Sequence, residues 1–160
     1  MDVPLTTLTK TTRACATSMD VVQPVVDDSE KARGAIYTKP EVVCFMLELC
    51  GYKASAPLTD YRLLEPSCGD GAILLPAIDR LLTAAKREGA LSYERLAPAI
   101  KAVELHGATF RRLRKRVASR LRLSALSEVD VIRLCDEWLT NGDFLLQDLP
   151  NGFTHVVRCP

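Results

Sequence analysis

The chain has no apolar run that approaches the length of a membrane span, so nothing in it predicts a membrane protein. Residues Met1–Ser18 lack the hydrophobic core of a signal peptide. Six cysteines are present (Cys15, Cys44, Cys50, Cys68, Cys135 and Cys159), but none form Cys-x-x-Cys, and only two histidines, His106 and His155, could join them. That pattern offers no metal-ligand spacing, and without a secretion signal the expectation is free thiols in a reducing cytoplasm. A strong charge bias is missing too: the net charge is +1, a near-neutral total that hides one local concentration. What remains is 160 residues, 48% of them hydrophobic, enough for one globular domain with one sizeable core.

The chain is organised around Arg62-Leu63-Leu64-Glu65-Pro66-Ser67-Cys68-Gly69-Asp70-Gly71-Ala72-Ile73-Leu74-Leu75. A short apolar run ends in an acid and a proline, a loop with two glycines follows, and a helical apolar pattern begins. This predicts a buried strand, a tight turn and a helix N-terminus. The glycines let backbone approach a ligand where a Cβ would clash. A helix start presents unpaired N–H groups, but Glu65 and Asp70 place carboxylates there, which is wrong for a phosphate. The pair suits a ligand that carries an ammonium group beside a carboxylate. The dinucleotide fingerprint Gly-x-Gly-x-x-Gly is absent, because it needs a glycine at the position of Leu74.

Around this centre the pattern predicts an alternation of strands and helices. Residues 1–30 carry no clear period and read as a loosely ordered arm, with a short strand at 21–26 broken by Pro24. Residues 31–160 form the domain. Pro40 and Glu41 suit the first turn of a helix whose apolar face is Val42, Val43, Phe45, Met46 and Leu49, stopped at Gly51. The strand over 61–64 and the glycine loop lead into a helix from Ala72, and a connector at 91–96 leads to a second strand over 99–104 ending in Glu104. An acid at the tip of that strand can accept both ribose hydroxyls of an adenosine.

A helix over 106–123 buries Phe110, Leu113, Val117 and Leu121. Its other faces carry Arg111, Arg112, Arg114, Lys115, Arg116, Arg120 and Arg122, the strongest charge cluster in the chain. Such a face could touch a phosphate backbone, although a solvated outer helix is the simpler reading. Ser127 caps a further helix to Leu139 with Val129, Ile132, Leu134, Cys135 and Trp138, and a fourth strand spans 153–157.

Glu65-Pro66-Ser67-Cys68-Gly69-Asp70-Gly71 resembles the S-adenosylmethionine (SAM) loop of adenine-specific (N6) DNA methyltransferases of the restriction-modification type, commonly Asp/Glu-Pro-x-x-Gly-x-Gly. Tyr37-Thr38-Lys39-Pro40 resembles the family's aromatic-Thr-Pro segment at the methionine end of SAM, with Lys39 inserted. Gly142-Asp143-Phe144 resembles the segment at the third strand, where the Asp accepts from the adenine amino group and the aromatic packs near the ring. The resemblance covers about 32–157 and implies an α/β, Rossmann-like, three-layer SAM-dependent fold that uses DNA as substrate. The SAM-binding positions it implies are Tyr37, Thr38, Glu65, Pro66, Gly69, Asp70, Gly71, Glu104, Asp143 and Phe144.

After Val157 the family continues with Asn-Pro-Pro-aromatic, which holds the flipped target adenine. Here Arg158-Cys159-Pro160 follows, and a thiol is a poor substitute for an amide oxygen, so no catalytic residue is assigned. Four strands against the family's seven predict a sheet truncated after the fourth strand: an N-terminal fragment, inactive alone, with a second chain completing the sheet as one explanation. The alternatives are a non-catalytic SAM- or nucleic-acid-binding remnant or regulatory module, and a methyltransferase for protein or small molecules. The expected location is cytoplasmic.

Overall fold

The computed structural model describes residues 38–158. The arm over 1–30, its short strand and Tyr37 lie outside the described residues, as do Cys159 and Pro160. The described chain is α/β, with four parallel strands and five α-helices. Strand β1 is Leu63–Glu65, β2 Ile100–Glu104, β3 Leu139–Asn141 and β4 His155–Val156. The helices are α1 Pro40–Leu49, α2 Leu74–Glu88, α3 Tyr93–Leu96, α4 Gly107–Arg122 and α5 Glu128–Trp138. No helix among the described residues is long and apolar enough to cross a membrane.

The strand order is β3-β2-β1-β4. From β1 the chain steps outward twice in one direction, to β2 and then β3, and afterwards crosses back to the other side of β1. Parallel pairing puts the carboxyl ends of all four strands at one edge of the sheet, with the reversal of direction between β1 and β4. In open α/β sheets, a crevice for ligands forms outside the carboxyl ends at such a reversal.

Register explains which strand residues meet the helices. Leu63 pairs with Ile100 and Ala102 with Leu139, so these residues share one face. They join one buried cluster with Leu47 of α1, Leu74, Ile78 and Leu81 of α2, Leu113, Val117 and Leu121 of α4, and Leu134 and Trp138 of α5. Right-handed crossovers send the helices of two successive same-direction steps to the same face, in keeping with this single core. Leu64, Val103 and Val156 point to the opposite face; the first two are buried, but Val156 is 64% exposed. The described residues thus supply the sheet and one helical layer. The further helical layer of a three-layer fold is not among them.

Local sequence accounts for the helix ends. Pro40 opens α1 and Glu41 sits in its first turn. Gly89, with φ +63°, closes α2 behind Lys86 and Arg87. The Ser127 hydroxyl accepts from the Asp130 N–H at 3.1 Å and caps α5. The glycine loop is longer than expected: α2 begins at Leu74, because Ala72 and Ile73 still belong to the turn.

Two apolar faces are also corrected. In α1 the buried positions are Val43 and Leu47, while Val42, Phe45 and Leu49 are exposed; in α5 they are Val131, Leu134, Cys135 and Trp138, while Val129 and Ile132 are exposed. In both helices more apolar residues are present than the core has room for, and spacing alone does not choose among them. Cys44 is disulfide-bonded, against the expectation of free thiols; Cys50, Cys68 and Cys135 are free.

Candidate functional site

The site forms where β1, β2 and β3 end. Glu65 is the last residue of β1, and strand alternation turns it to the core face beside Ala102. It is 2% exposed, and its Oε2 has no hydrogen-bond partner. Burial first, and then the neighbouring Asp70 carboxylate, push the Glu65 carboxyl well above the usual carboxylate range. A buried acid with one unmatched oxygen, at the carboxyl end of a strand, is a place where a cationic donor would be stabilised.

The turn after β1 is fixed from several sides. The Cys68 N–H donates to the Val103 carbonyl at 2.9 Å, and the Gly71 N–H to the Cys68 carbonyl at 2.8 Å. The Gly69 N–H donates to Glu104 Oε2 at 2.9 Å, and the His106 N–H to Glu104 Oε1 at 2.7 Å. Glu104 therefore ties the tip of β2 to the glycine turn, and each carboxylate oxygen keeps a further lone pair for another donor.

The two glycines serve different needs. Gly69 has φ +54°, and a Cβ there would meet nothing within 4 Å; it faces open space. Gly71 has φ +91°, and a Cβ would lie 2.6 Å from Leu113 Cδ1, so α4 packs directly against it. Pro66 is half-buried behind Glu65. The Cys68 thiol is buried among Glu65, Glu104 and Asp70, and desolvation followed by these carboxylates pushes it far up, so it is a neutral thiol.

At the end of β3, Asn141 Nδ2 donates to the Glu104 carbonyl at 2.6 Å and to the Leu105 carbonyl at 3.1 Å. The Gly142 N–H donates to the Glu104 carbonyl at 3.0 Å. Asp143 follows, exposed, its Oδ1 accepting from the Leu145 N–H at 3.0 Å, which starts a single 3-10 turn, Phe144–Leu146. The third strand thus precedes the Gly-Asp-Phe segment and delivers it to the same edge as Glu104. Phe144 is half-buried there.

The structure brings Glu65, Pro66, Gly69, Asp70, Gly71 and Glu104 together around one turn, with Asp143 and Phe144 following β3 at the same edge. Thr38 lies just before α1 and is half-buried. Two participants were not anticipated. Asn141 had a signal, in that it immediately precedes the Gly-Asp-Phe segment. Arg116 had none: its Nη1 donates to Asp70, 46 positions away in sequence.

The basic face of α4 is largely neutralised. Arg114 pairs with Asp136, Arg116 with Asp70, Arg120 with Asp79 and Arg122 with Glu128. This favours the solvated outer helix over a phosphate-binding surface.

Comparison with known proteins gives three close relatives. The chain is 48% identical over 132 residues to the Type II methyltransferase M.PaeR7I of Pseudomonas aeruginosa, covering 81% of this chain and 23% of that protein. It is 37% identical over 131 residues to M.XhoI of Xanthomonas vasicola (80% of this chain, 24% of the relative). It is 34% identical over 125 residues to M.BstVI of Geobacillus stearothermophilus (76% and 22%). Neither a family model nor a solved structure matches the chain. It spans about a quarter of the length of these relatives. Over the matched four-fifths of its length, the chain is similar to these Type II methyltransferases.

Proposed function

We propose that this chain binds S-adenosylmethionine and is the cofactor-binding portion of an adenine-N6 DNA methyltransferase of a restriction-modification system. The observation that carries the reading is the buried Glu65 carboxyl with its unpartnered oxygen, beside a turn whose Gly69 leaves open room for a ligand. SAM fits that chemistry: its ammonium can donate to Glu65, and its ribose hydroxyls can donate to the free lone pairs of Glu104. Asp143 would accept from the adenine amino group, with Phe144 against the ring and Thr38, beside Tyr37, at the methionine end. Bound there, SAM supplies an electrophilic methyl group on its sulfonium. The residues of this chain hold and orient it, which is where most of the rate advantage of an aligned displacement lies. The similarity to Type II methyltransferases supports DNA as the acceptor and the cytoplasm as the location.

Calorimetric titration with SAM tests the reading directly. One SAM per chain is expected, with affinity lost in Gly69→Trp, which fills the open side of the turn. No heat of binding at millimolar SAM would overturn it. Labelled SAM incubated with DNA, protein and small-molecule acceptors then separates adenine transfer from the other acceptor classes.

A further inference from the structure

The geometry points to Arg116 of α4 as a positioning residue that holds the turn at 68–71 in its ligand-binding shape. Its Nη1 donates to the Asp70 backbone carbonyl at 2.6 Å and to Asp70 Oδ2 at 3.2 Å. Asp70 stands between Gly69 at φ +54° and Gly71 at φ +91°. Glycines on both sides make the Asp70–Gly71 peptide the part of the turn most free to rotate, since Gly71 populates either sign of φ without a Cβ penalty.

Two of the other anchors hold points before this peptide, and the third holds its N–H. Cys68 is held to Val103, Gly69 to Glu104, and the Gly71 N–H to Cys68. The Asp70 carbonyl receives its donor from α4. Three residues earlier on the same helix face, Leu113 packs against Gly71. Thus α4 backs the turn at two adjacent points, one steric and one polar. If the peptide rotated, the Asp70 carbonyl would leave Arg116 and the Gly71 N–H would leave Cys68.

Arg116 and Asp70 side chains are 50% and 32% exposed, so their ion pair adds little to global stability. The consequence belongs to the turn, and it separates two readouts. The effect on affinity rests on the SAM reading above; the effect on the turn does not.

The test uses the full chain with Arg116→Gln, Arg116→Lys and Asp70→Asn. Amide exchange over 68–72 is measured without ligand, alongside affinities for SAM and for its product S-adenosylhomocysteine, which lacks only the sulfonium charge, and the melting temperature. Arg116→Gln is expected to speed exchange in the turn about tenfold and to weaken both ligands by one common factor, about three- to tenfold, with a melting shift of no more than about 2 °C. Arg116→Lys should recover part of both effects, because an ammonium can still donate to the carbonyl. Asp70→Asn, which keeps that carbonyl, should leave exchange close to wild type.

Unchanged exchange in Arg116→Gln overturns the proposal whether or not SAM binds. So does a change confined to SAM, because that would mean Arg116 acts through its charge on the sulfonium. If wild-type protein binds neither ligand, the SAM reading fails, and the exchange measurement alone decides the role of Arg116. If Arg116→Gln does not fold, its role is structural and the proposal falls.

Discussion

Glu65 illustrates how a single side chain links stability to the site. Its folded-state carboxyl titrates well above its ordinary value of 4.5, chiefly because burial disfavours the charge. Below that ordinary value the acid is protonated in both folded and unfolded chains, and there is no penalty. As pH rises through the window up to the folded value, the unfolded chain releases its proton first, so stability falls. Glu65→Gln keeps the shape without the ionisation. It should flatten the decline in melting temperature as pH rises above the ordinary carboxylate value of 4.5 and be the more stable protein once that decline has set in. SAM affinity should fall in the same variant, because an amide is a weaker partner for an ammonium. Melting curves across pH, paired with titrations, check both.

Replacing the Glu104 carboxylate should instead destabilise the fold. Both its oxygens hold backbone N–H groups, so Glu104→Gln sets an NH2 against one of these donors and should cost about 1–3 kcal/mol in a denaturant melt.

At the element scale, the strand-turn-helix unit depends on how α4 seats against the turn. Gly71→Ala combines a positive φ with a Cβ 2.6 Å from Leu113 and should destabilise by on the order of 1–3 kcal/mol. Gly71→Ala with Leu113→Ala should recover the steric part of that loss, which a double-mutant cycle of urea midpoints would show as non-additivity. The same burial protects the thiol inside the unit. An exposed Cys50 should react with a thiol reagent at pH 8 in the native protein, whereas buried Cys68 and Cys135 should react only on unfolding. Mass spectrometry of alkylated peptides reads this site by site.

Among the described residues, one core joins the helices to the sheet, so their unfolding should be a single event. Trp138, the only tryptophan, is fully buried, and its Nε1 donates to the Leu96 carbonyl at 3.0 Å. Its emission should shift red in one transition that coincides with loss of helical circular dichroism. SAM, by binding the folded chain alone, should move that transition upward, by about 2.7 kcal/mol at a ligand concentration one hundred times its dissociation constant. A transition that SAM leaves in place would contradict binding at the sheet edge.

Much of this organisation was legible in the residue order. Local signals act over a few residues, so Pro40 and Ser127 marked helix ends, Glu65 and Glu104 marked strand tips, and the two glycines marked a turn without reference to the rest of the chain. Other features depend on pairs distant in sequence. Which apolar residues of α1 and α5 are buried follows from the packing partner, and periodicity offered more candidates than the core accepted. That Glu104 holds Gly69, that Arg116 reaches Asp70, and that Glu65 keeps an unmatched oxygen follow from strand order and helix placement. The sequence by itself determined the types of element and the residues able to meet a ligand. Only the tertiary structure decided which of them meet, because hydrogen bonds and burial are set by spatial neighbours, whereas propensities and turn signals are set by neighbours along the chain.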